Sequence, residues 1–373
     1  MLCYRTTPLG APTKQISFED ILKGEITNLY KYHPREGWTS TITRLYDTNK
    51  ADVASIALAR FVEKHANLIE CADSEDQMAS HYREFKIPKR SGGYRTIDDP
   101  DEELRKAHAE LKAIIEDQMD ATYHTAAFAY VKGRCAKDAV IKHQMNKSNW
   151  CLRTDFSNFF GSITLDFAYD MLTKQYPFCE FLQESKDDLK EALKICFLRG
   201  GLPQGSVISP FLTNIIMIPI DYKLANNLWK ENFVYTRYAD DIQISAYRKF
   251  DHQEMVRLID QVLESFGAPF RIKPEKTKFS SVAGVNYMLG LNLNKDHNVT
   301  VGHERKKMLK AMLTNFLVDF KNGKRWPPEQ VRHLDGVCSY YRSIEKDYID
   351  YVIQHIQNKF SISYRNCVKS ILG

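Results

Sequence analysis

Long apolar runs are missing from this 373-residue chain: the best candidate, Val207 to Ile220, is broken by Ser209, Pro210, Thr213, Asn214 and Pro219, so no membrane-spanning helix is expected. Cysteine pairs at metal-ligand spacing are missing as well. The eight cysteines are scattered with no C-x-x-C, and the eleven histidines form no H-x-x-x-H, which argues against a zinc site or a disulfide framework. The N-terminus has no signal-peptide pattern, and with unpaired cysteines a reducing cytoplasm is the expected setting. Neither an internal repeat nor a low-complexity linker interrupts the chain, so its parts are expected to pack together.

Charge is present but unevenly spread. The net charge is +5, yet Arg271 to Arg325 alone holds 12 Lys/Arg against 4 Asp/Glu, a local +8, and the remainder is 40 against 43, or −3. A basic region of that kind is either a solvated helix face or a surface for a polyanion.

The first 80 residues read as helical, with Ser17-Phe18-Glu19-Asp20 as a cap and Val53, Ile56, Ala57, Ala59 and Val62 near helical spacing. Phe85 to Thr96 reads as a basic hairpin turning at Ser91-Gly92-Gly93, and Asp101 to Met119 as a helix. Trp150 to Phe156 is a short strand bearing Asp155 at its end, followed by a helix over Ile163 to Gln175. The turn Gly200-Gly201-Leu202-Pro203-Gln204-Gly205 precedes a second apolar helix. A helix from His252 to Phe266, a basic strand around Lys276 and a small hairpin at Leu289-Gly290-Leu291 come later, and past Val301 the pattern is helical. The order suggests an α+β sheet with helices on one face.

Between two apolar β-type runs, Phe233 to Thr236 and Ile242 to Ala246, stands Tyr238-Ala239-Asp240-Asp241. Aspartate suits hairpin turns for its own backbone reasons, so the pair alone is ambiguous. Adjacent carboxylates also repel unless a cation is supplied, and a third carboxylate, Asp155, ends its own strand upstream. Carboxylates converging from separate strand ends are what two-metal phosphoryl transfer requires, with Mg²⁺ favoured and Mn²⁺ as the alternative.

The words around these aspartates occur in a fixed order: Ile87-Pro88-Lys89-Arg90-Ser91-Gly92-Gly93-Tyr94-Arg95, Arg153-Thr154-Asp155-Phe156-Ser157-Asn158-Phe159-Phe160, Leu202-Pro203-Gln204-Gly205-Ser206-Val207-Ile208-Ser209-Pro210, Tyr238-Ala239-Asp240-Asp241, Pro274-Glu275-Lys276-Thr277-Lys278 and Leu289-Gly290. In this the chain resembles the prokaryotic reverse transcriptases, the group with retron, group II intron and defence-associated enzymes. The resemblance implies a right-hand polymerase: a helical N-terminal extension over 1–80, fingers over 81–149, a palm over 150–300 with an antiparallel sheet on helices, and a helical thumb and tail over 301–373. It makes Asp155, Asp240 and Asp241 the catalytic metal ligands for two Mg²⁺ ions. Lys89 and Arg95 would reach the incoming triphosphate, and Arg134 is a further basic candidate. Phe160 would block a ribose 2′ hydroxyl, unless it or Phe159 is simply core. Gln204 would contact the nucleotide, and Gly205 would let backbone approach nucleotide and template. Lys276 would lie near the leaving pyrophosphate, with a plain surface lysine as the other reading.

Tyr287 to Gly290 resembles a primer grip, and Arg305, Lys306, Lys307 and Lys310 resemble a thumb helix tracking an RNA–DNA duplex through phosphates. Leu334 to Ile344 is similar to the thumb segment of retron and intron enzymes. The implied activity is RNA-directed DNA synthesis from deoxynucleotides on an RNA template, a cognate noncoding RNA, with an accessory protein or a second copy as further partners. Two places depart from standard retron enzymes: Asp138-Ala139 with His143 stands for Asn-Ala and His, and Met288-Leu289-Gly290 for Val-Thr-Gly. With no splicing or nuclease segment before Gly373, the expectation is a free-standing defence-associated enzyme acting against phage. A template-independent or protein-primed transferase and a maturase-like RNA-binding scaffold are the competing functions; the intact Asp155, Asp240, Asp241, Gln204 and Arg95 set argues against the scaffold.

Overall fold

Four strands form the sheet on which the acidic residues sit, in the order Lys278–Ser281, Trp150–Asp155, Asp241–Ala246, Val234–Tyr238. The arrangement comes from a computed structural model that describes residues 2–6, 12–17, 27–33, 37–43, 48–89, 92–118, 123–283 and 286–373. The two central strands are buried along most of their length, as alternating and continuous apolar runs of this size require.

The chain divides into two compact units. The first comprises Met1–Cys135, Leu152–Ile244 and Phe250–Phe279, and the Asp155 and Asp241 ends of the central strands belong to it. Its core joins Leu58, Phe61, Leu104, Leu111, Ile115, Leu152, Phe156, Phe178, Leu193 and Leu212. Burying such side chains contributes about 1.5–3 kcal/mol each, which offsets the backbone entropy lost by the loops that converge on the site. The hairpin Tyr82–Pro88/Tyr94–Pro100 pairs Ile87 with Arg95 and Pro88 with Tyr94. Gly92 and Gly93, at φ 89° and 77°, supply the positive φ its turn needs, and the Lys89 N–H donates to Gly93 O at 3.0 Å. The expected turn residues Arg90 and Ser91 lie outside the described residues.

The helical N-terminal extension holds only in part. Between Leu2 and Thr43 the described residues form two antiparallel hairpins, Leu2–Thr6 with Pro12–Ser17 and Thr27–His33 with Gly37–Thr43, and the first described helix starts at Thr48. The reason is composition: Tyr30, Tyr32, Trp38, Thr39, Thr41 and Ile42 are aromatic and β-branched residues, which favour strand over helix. Ser17 is the last residue of a strand, and Phe18, Glu19 and Asp20, the rest of the expected helix cap, lie outside the described residues. Within Thr48–Lys64 the buried stripe is Ala54, Leu58 and Phe61, while Val53 and Ile56 are half exposed, so the apolar face was misread by one position.

The second unit comprises Ala136–Cys151, Ser245–Lys249 and Ser280–Gly373. Helices His303–Lys321, Pro328–Ile344, Lys346–Phe360 and Tyr364–Leu372 bury Leu313, Phe316, Leu334, Ile349 and Val352 among themselves. A smaller cluster of Val140, Cys151, Met288, Leu291, Val301 and Ile344 lies in the same unit. Among the described residues no helix is long and apolar enough to cross a membrane.

Candidate active site

Asp155 ends one central strand and Asp241 begins its neighbour, and Ala239 and Asp240 make the turn that joins Val234–Tyr238 to Asp241–Ala246. Pairing of those strands is what brings the carboxylates together. The Phe156 N–H donates to Asp240 O at 3.2 Å, and the Lys273 N–H donates to Asp155 O at 2.8 Å, so the backbone beside Asp155 is held from both sides. Thr154 and Thr277 join through their hydroxyls at 2.8 Å. That brings Lys276 round to donate its ammonium to Asp155 Oδ2.

Asp155 is 4% exposed, and its other oxygen, Oδ1, is buried without a hydrogen-bond partner. Burial pushes the Asp241 carboxyl up to about 6, with Asp240 and Asp155 adding to the rise. Asp240 is raised for the same reasons, burial first and Asp155 next among the charges, against the lowering pull of Lys276 and Arg95. These carboxylates destabilise one another's charged forms and present an unsatisfied oxygen. The donors here are the carboxylates of Asp155, Asp240 and Asp241, and among the described residues no group of three or more His, Cys, Asp or Glu is arranged to hold a metal ion by itself. That donor set fits Mg²⁺, which takes one or two carboxylates and completes its shell with water and substrate phosphate oxygens.

Three further elements of the first unit meet here. Arg95 is exposed on the hairpin and within electrostatic reach of Asp240, while Lys89 is exposed at the turn. Of the two adjacent aromatics, Phe159 is core, stacked on Phe156 and edge-on to Phe270, and Phe160 is only partly buried. The loop before helix Ile208–Ile216 is stitched to this segment, for Leu202 N–H donates to Phe160 O at 3.0 Å and a Cβ on Gly201 would fall 2.3 Å from Gly161 O. The same loop meets the hairpin strand: Asp98 N–H donates to Gln204 O at 2.7 Å, and Gly205, at φ 131°, lies where a Cβ would be 2.5 Å from Asp98 O. Beneath it, His108 bridges Ser206 Oγ and Ile195 O, both at 2.9 Å, and burial drops its pKa to about 4. Arg134 is committed to structure, donating to His124 O and Ala127 O at 2.9 and 2.6 Å.

In the second unit the four cations of helix His303–Lys321 divide. Arg305 donates to Gly290 O and, at 3.2 Å, to Tyr287 OH, so it braces the hairpin that holds both. Lys306 donates to Glu345 Oε1 at 2.6 Å and lies 4.2 Å from the Tyr348 ring centre. Lys307 and Lys310 are exposed.

Motif reading passed over Arg237, Asp221 and Asn214, which are buried under the acidic turn. The available signal was charge out of place: an arginine within the strand Val234–Tyr238 and an aspartate within the helix Ile218–Trp229. Arg153, which lowers the Asp241 carboxyl, and Tyr130, whose hydroxyl is raised first by burial and then by Asp240, were also missed.

A family model described as reverse transcriptase (RNA-dependent DNA polymerase) matches residues 87–317. The chain is 29% identical over 284 residues to the retron Ec83 reverse transcriptase of Escherichia coli, covering 73% of this chain and 86% of that one. It is 30% identical over 239 residues to the retron Ec73 reverse transcriptase of Escherichia coli, covering 62% and 75%. Among solved structures, telomerase from Candida albicans in complex with a fragment of telomeric RNA aligns at a TM-score of 0.43 and 13% identity, over 79% of this chain and 64% of that chain, a likeness too slight to argue from. The two departures from the retron pattern therefore do not remove the chain from retron relatives. Both places lie in the second unit: the matching Ala139 and His143 are buried, His143 bonding Ser245 Oγ at 2.6 Å, while the departing Asp138 is half-buried and the departing Met288 fills the small apolar cluster.

Proposed function

The chain belongs to the reverse transcriptase (RNA-dependent DNA polymerase) family and is of the retron type, and from that premise we propose that it copies an associated noncoding RNA into DNA by two-metal nucleotidyl transfer at Asp155, Asp240 and Asp241. It is an RNA-directed DNA polymerase with a right-hand fold. The observation that carries the site assignment is the meeting of Asp155 and Asp240 across the Phe156–Asp240 backbone bond, with Asp155 Oδ1 buried and unsatisfied.

Asp155 and Asp240 are the principal metal ligands in this reading, and Asp241 stands beside them as ligand or electrostatic support. Two Mg²⁺ ions there would supply Lewis acidity, lowering the charge on the transferring phosphate and the pKa of the attacking 3′ hydroxyl. The chain's own residues do the rest. Lys276 screens Asp155 and meets the leaving pyrophosphate as a compact charge, and Arg95 offers its fork to triphosphate oxygens with Lys89 at the turn beyond. Phe160 rejects a ribose by bulk, and the Gln204–Gly205 loop brings a side-chain amide and a close backbone to the nucleotide. Tyr287 and Gly290 hold the primer end, with Arg305 bracing their hairpin, and Lys307 and Lys310 meet duplex phosphates. Deoxynucleotides, the RNA and the DNA product are the partners. A role in anti-phage defence rests on the resemblance alone and is tested by plaque counts with and without an Asp240→Ala, Asp241→Ala variant.

The biochemical test is to purify the chain with co-expressed nucleic acid, add deoxynucleotides and Mg²⁺, and sequence the bound RNA and the product. DNA complementary to the RNA, absent from the Asp240→Ala, Asp241→Ala variant, supports the proposal. A homopolymer unrelated to the RNA would make the enzyme an untemplated transferase.

A further inference from the structure

Under the Ala239–Asp240 turn lies a charged network that an apolar core has no need of. Arg237 and Asp221 are both fully buried. Arg237 Nε donates to Asp221 Oδ1 and Oδ2 at 3.0 and 3.1 Å, Nη2 donates to Oδ2 at 2.7 Å, and the Tyr235 hydroxyl donates to Oδ1 at 2.7 Å. The remaining nitrogen, Nη1, donates to Asn214 Oδ1 at 3.1 Å and to Ala239 O at 3.2 Å. Asn214 in turn donates Nδ2 to Ala129 O at 2.8 Å. The Arg237 main chain is fixed as well, its N–H donating to Ala126 O at 2.7 Å and its carbonyl accepting from Phe128 N–H at 2.9 Å.

Stability is a poor account of this pair. Taking two ions out of water is costly, and well-packed apolar residues of like volume do as well or better. What an apolar pair cannot do is hold the Ala239 carbonyl. Ala239 sits at φ 56°, a left-handed conformation that a Cβ makes costly, so the turn needs an outside hold. Because the peptide is planar, fixing the Ala239 carbonyl fixes the plane that carries the N and Cα of Asp240 and so narrows the directions in which its side chain can leave the turn. Asp221 holds the Nε–Nη2 edge of the guanidinium through three hydrogen bonds, so that Nη1 is left to face the turn.

We infer that Arg237, oriented by Asp221 and Asn214, is a positioning residue that aims Asp240 through its hydrogen bond to the Ala239 carbonyl. The inference rests on the reading of Asp240 as a metal ligand. Arg237→Lys keeps a buried cation opposite Asp221 but loses the fork that reaches Ala239. Arg237→Met with Asp221→Leu removes both charges together and keeps the volume.

The experiment measures primer extension on an RNA template, with kcat normalised to the folded fraction, KM for deoxynucleotide, and thermal melting, for these two variants and for Asp240→Ala. Arg237→Lys should lose about tenfold or more in kcat with KM within about twofold, the signature of a misaimed group rather than a lost binding contact. The double variant should melt at or above the parent while kcat stays low. A network that only stabilises would behave otherwise: kcat would return with stability in the double variant, and that result overturns the inference. Should the double variant fail to fold, Arg237→Lys decides alone, and parental kcat there overturns it. If Asp240→Ala itself extends normally, the metal-site reading fails first; if Asp240→Ala is inactive and Arg237→Lys is normal, only the positioning role fails.

Discussion

The main-chain N–H of Phe156 donates to the carbonyl oxygen of Asp240 across 3.2 Å, tying the residue after Asp155 to the backbone of the acidic turn. The two carboxylates are thereby set by backbone geometry rather than by flexible side-chain reach. Removing either should therefore change chemistry more than fold.

Asp155→Asn and Asp240→Asn keep side-chain volume and should each cut primer extension by roughly a thousandfold, equivalent to about 4 kcal/mol of lost transition-state stabilisation. The melting temperature of Asp240→Asn should stay the same or rise, because repulsion among the carboxylates is relieved, whereas Asp155→Asn also gives up its ion pair with Lys276 and should melt no higher than the parent. Single-turnover extension measured beside a thermal melt checks both halves.

Phe160→Ala should admit ribonucleotides, since the partly buried ring is the one of the adjacent pair that is not core. Competition between a ribonucleotide and its deoxynucleotide, read on a sequencing gel, is the measurement. Phe159→Ala serves as the contrast and should destabilise the protein by about 3–5 kcal/mol, the usual cost of a Phe cavity in a core.

Gly205→Ala places a methyl 2.5 Å from Asp98 O at a φ of 131°, so the contact between the Gln204 loop and the hairpin strand must open. The expected loss is about 1–3 kcal/mol of stability, from strain and overpacking, together with weaker deoxynucleotide binding. Chemical denaturation and KM for deoxynucleotide report the two effects.

Burial depresses the pKa of His108 to about 4 and of His143 to about 3, against an ordinary 6.5. Each folded pKa is below the unfolded one, so the stability each contributes is fully present above about pH 6.5 and is lost as pH falls towards the folded value. For His108 the loss between pH 7 and pH 4 should be on the order of 3 kcal/mol. Urea unfolding at pH 7.5, 6 and 5 should show midpoints falling, and His108→Gln should flatten that fall.

Lys307→Glu with Lys310→Glu should weaken nucleic-acid binding and reduce its salt dependence by about one counterion per lost phosphate contact, with little change in melting. Lys306→Ala should do the reverse, lowering the melting temperature because Glu345 loses its partner at 2.6 Å. Binding by fluorescence anisotropy at several salt concentrations separates the two.

Much of this was legible in the chain. The Tyr82–Pro88/Tyr94–Pro100 hairpin, the strand ending at Asp155, the Gly200 to Gly205 turn and the strands around Asp240 follow from local turn chemistry and apolar period, which are short-range effects. The four described strands between Leu2 and Thr43 were misread because their Thr, Tyr and Ile content was passed over in favour of a helical pattern. The buried face of Thr48–Lys64 was misread because helical period marks a stripe but not which neighbour covers it.

The sequence by itself determined which residue types stand at the strand ends and turns, and in what order, because those are properties of neighbours along the chain. Tertiary structure alone decided that the strand of Asp155 lies between Lys278–Ser281 and Asp241–Ala246, that Phe159 is core while Phe160 is not, and that Lys306 serves Glu345. It alone placed Arg237 under Ala239 with both faces of its charge spent on Asp221 and Asn214. Such contacts join residues far apart in sequence, and only packing, which closes the loops between them and removes their competing water, fixes which partner each one meets.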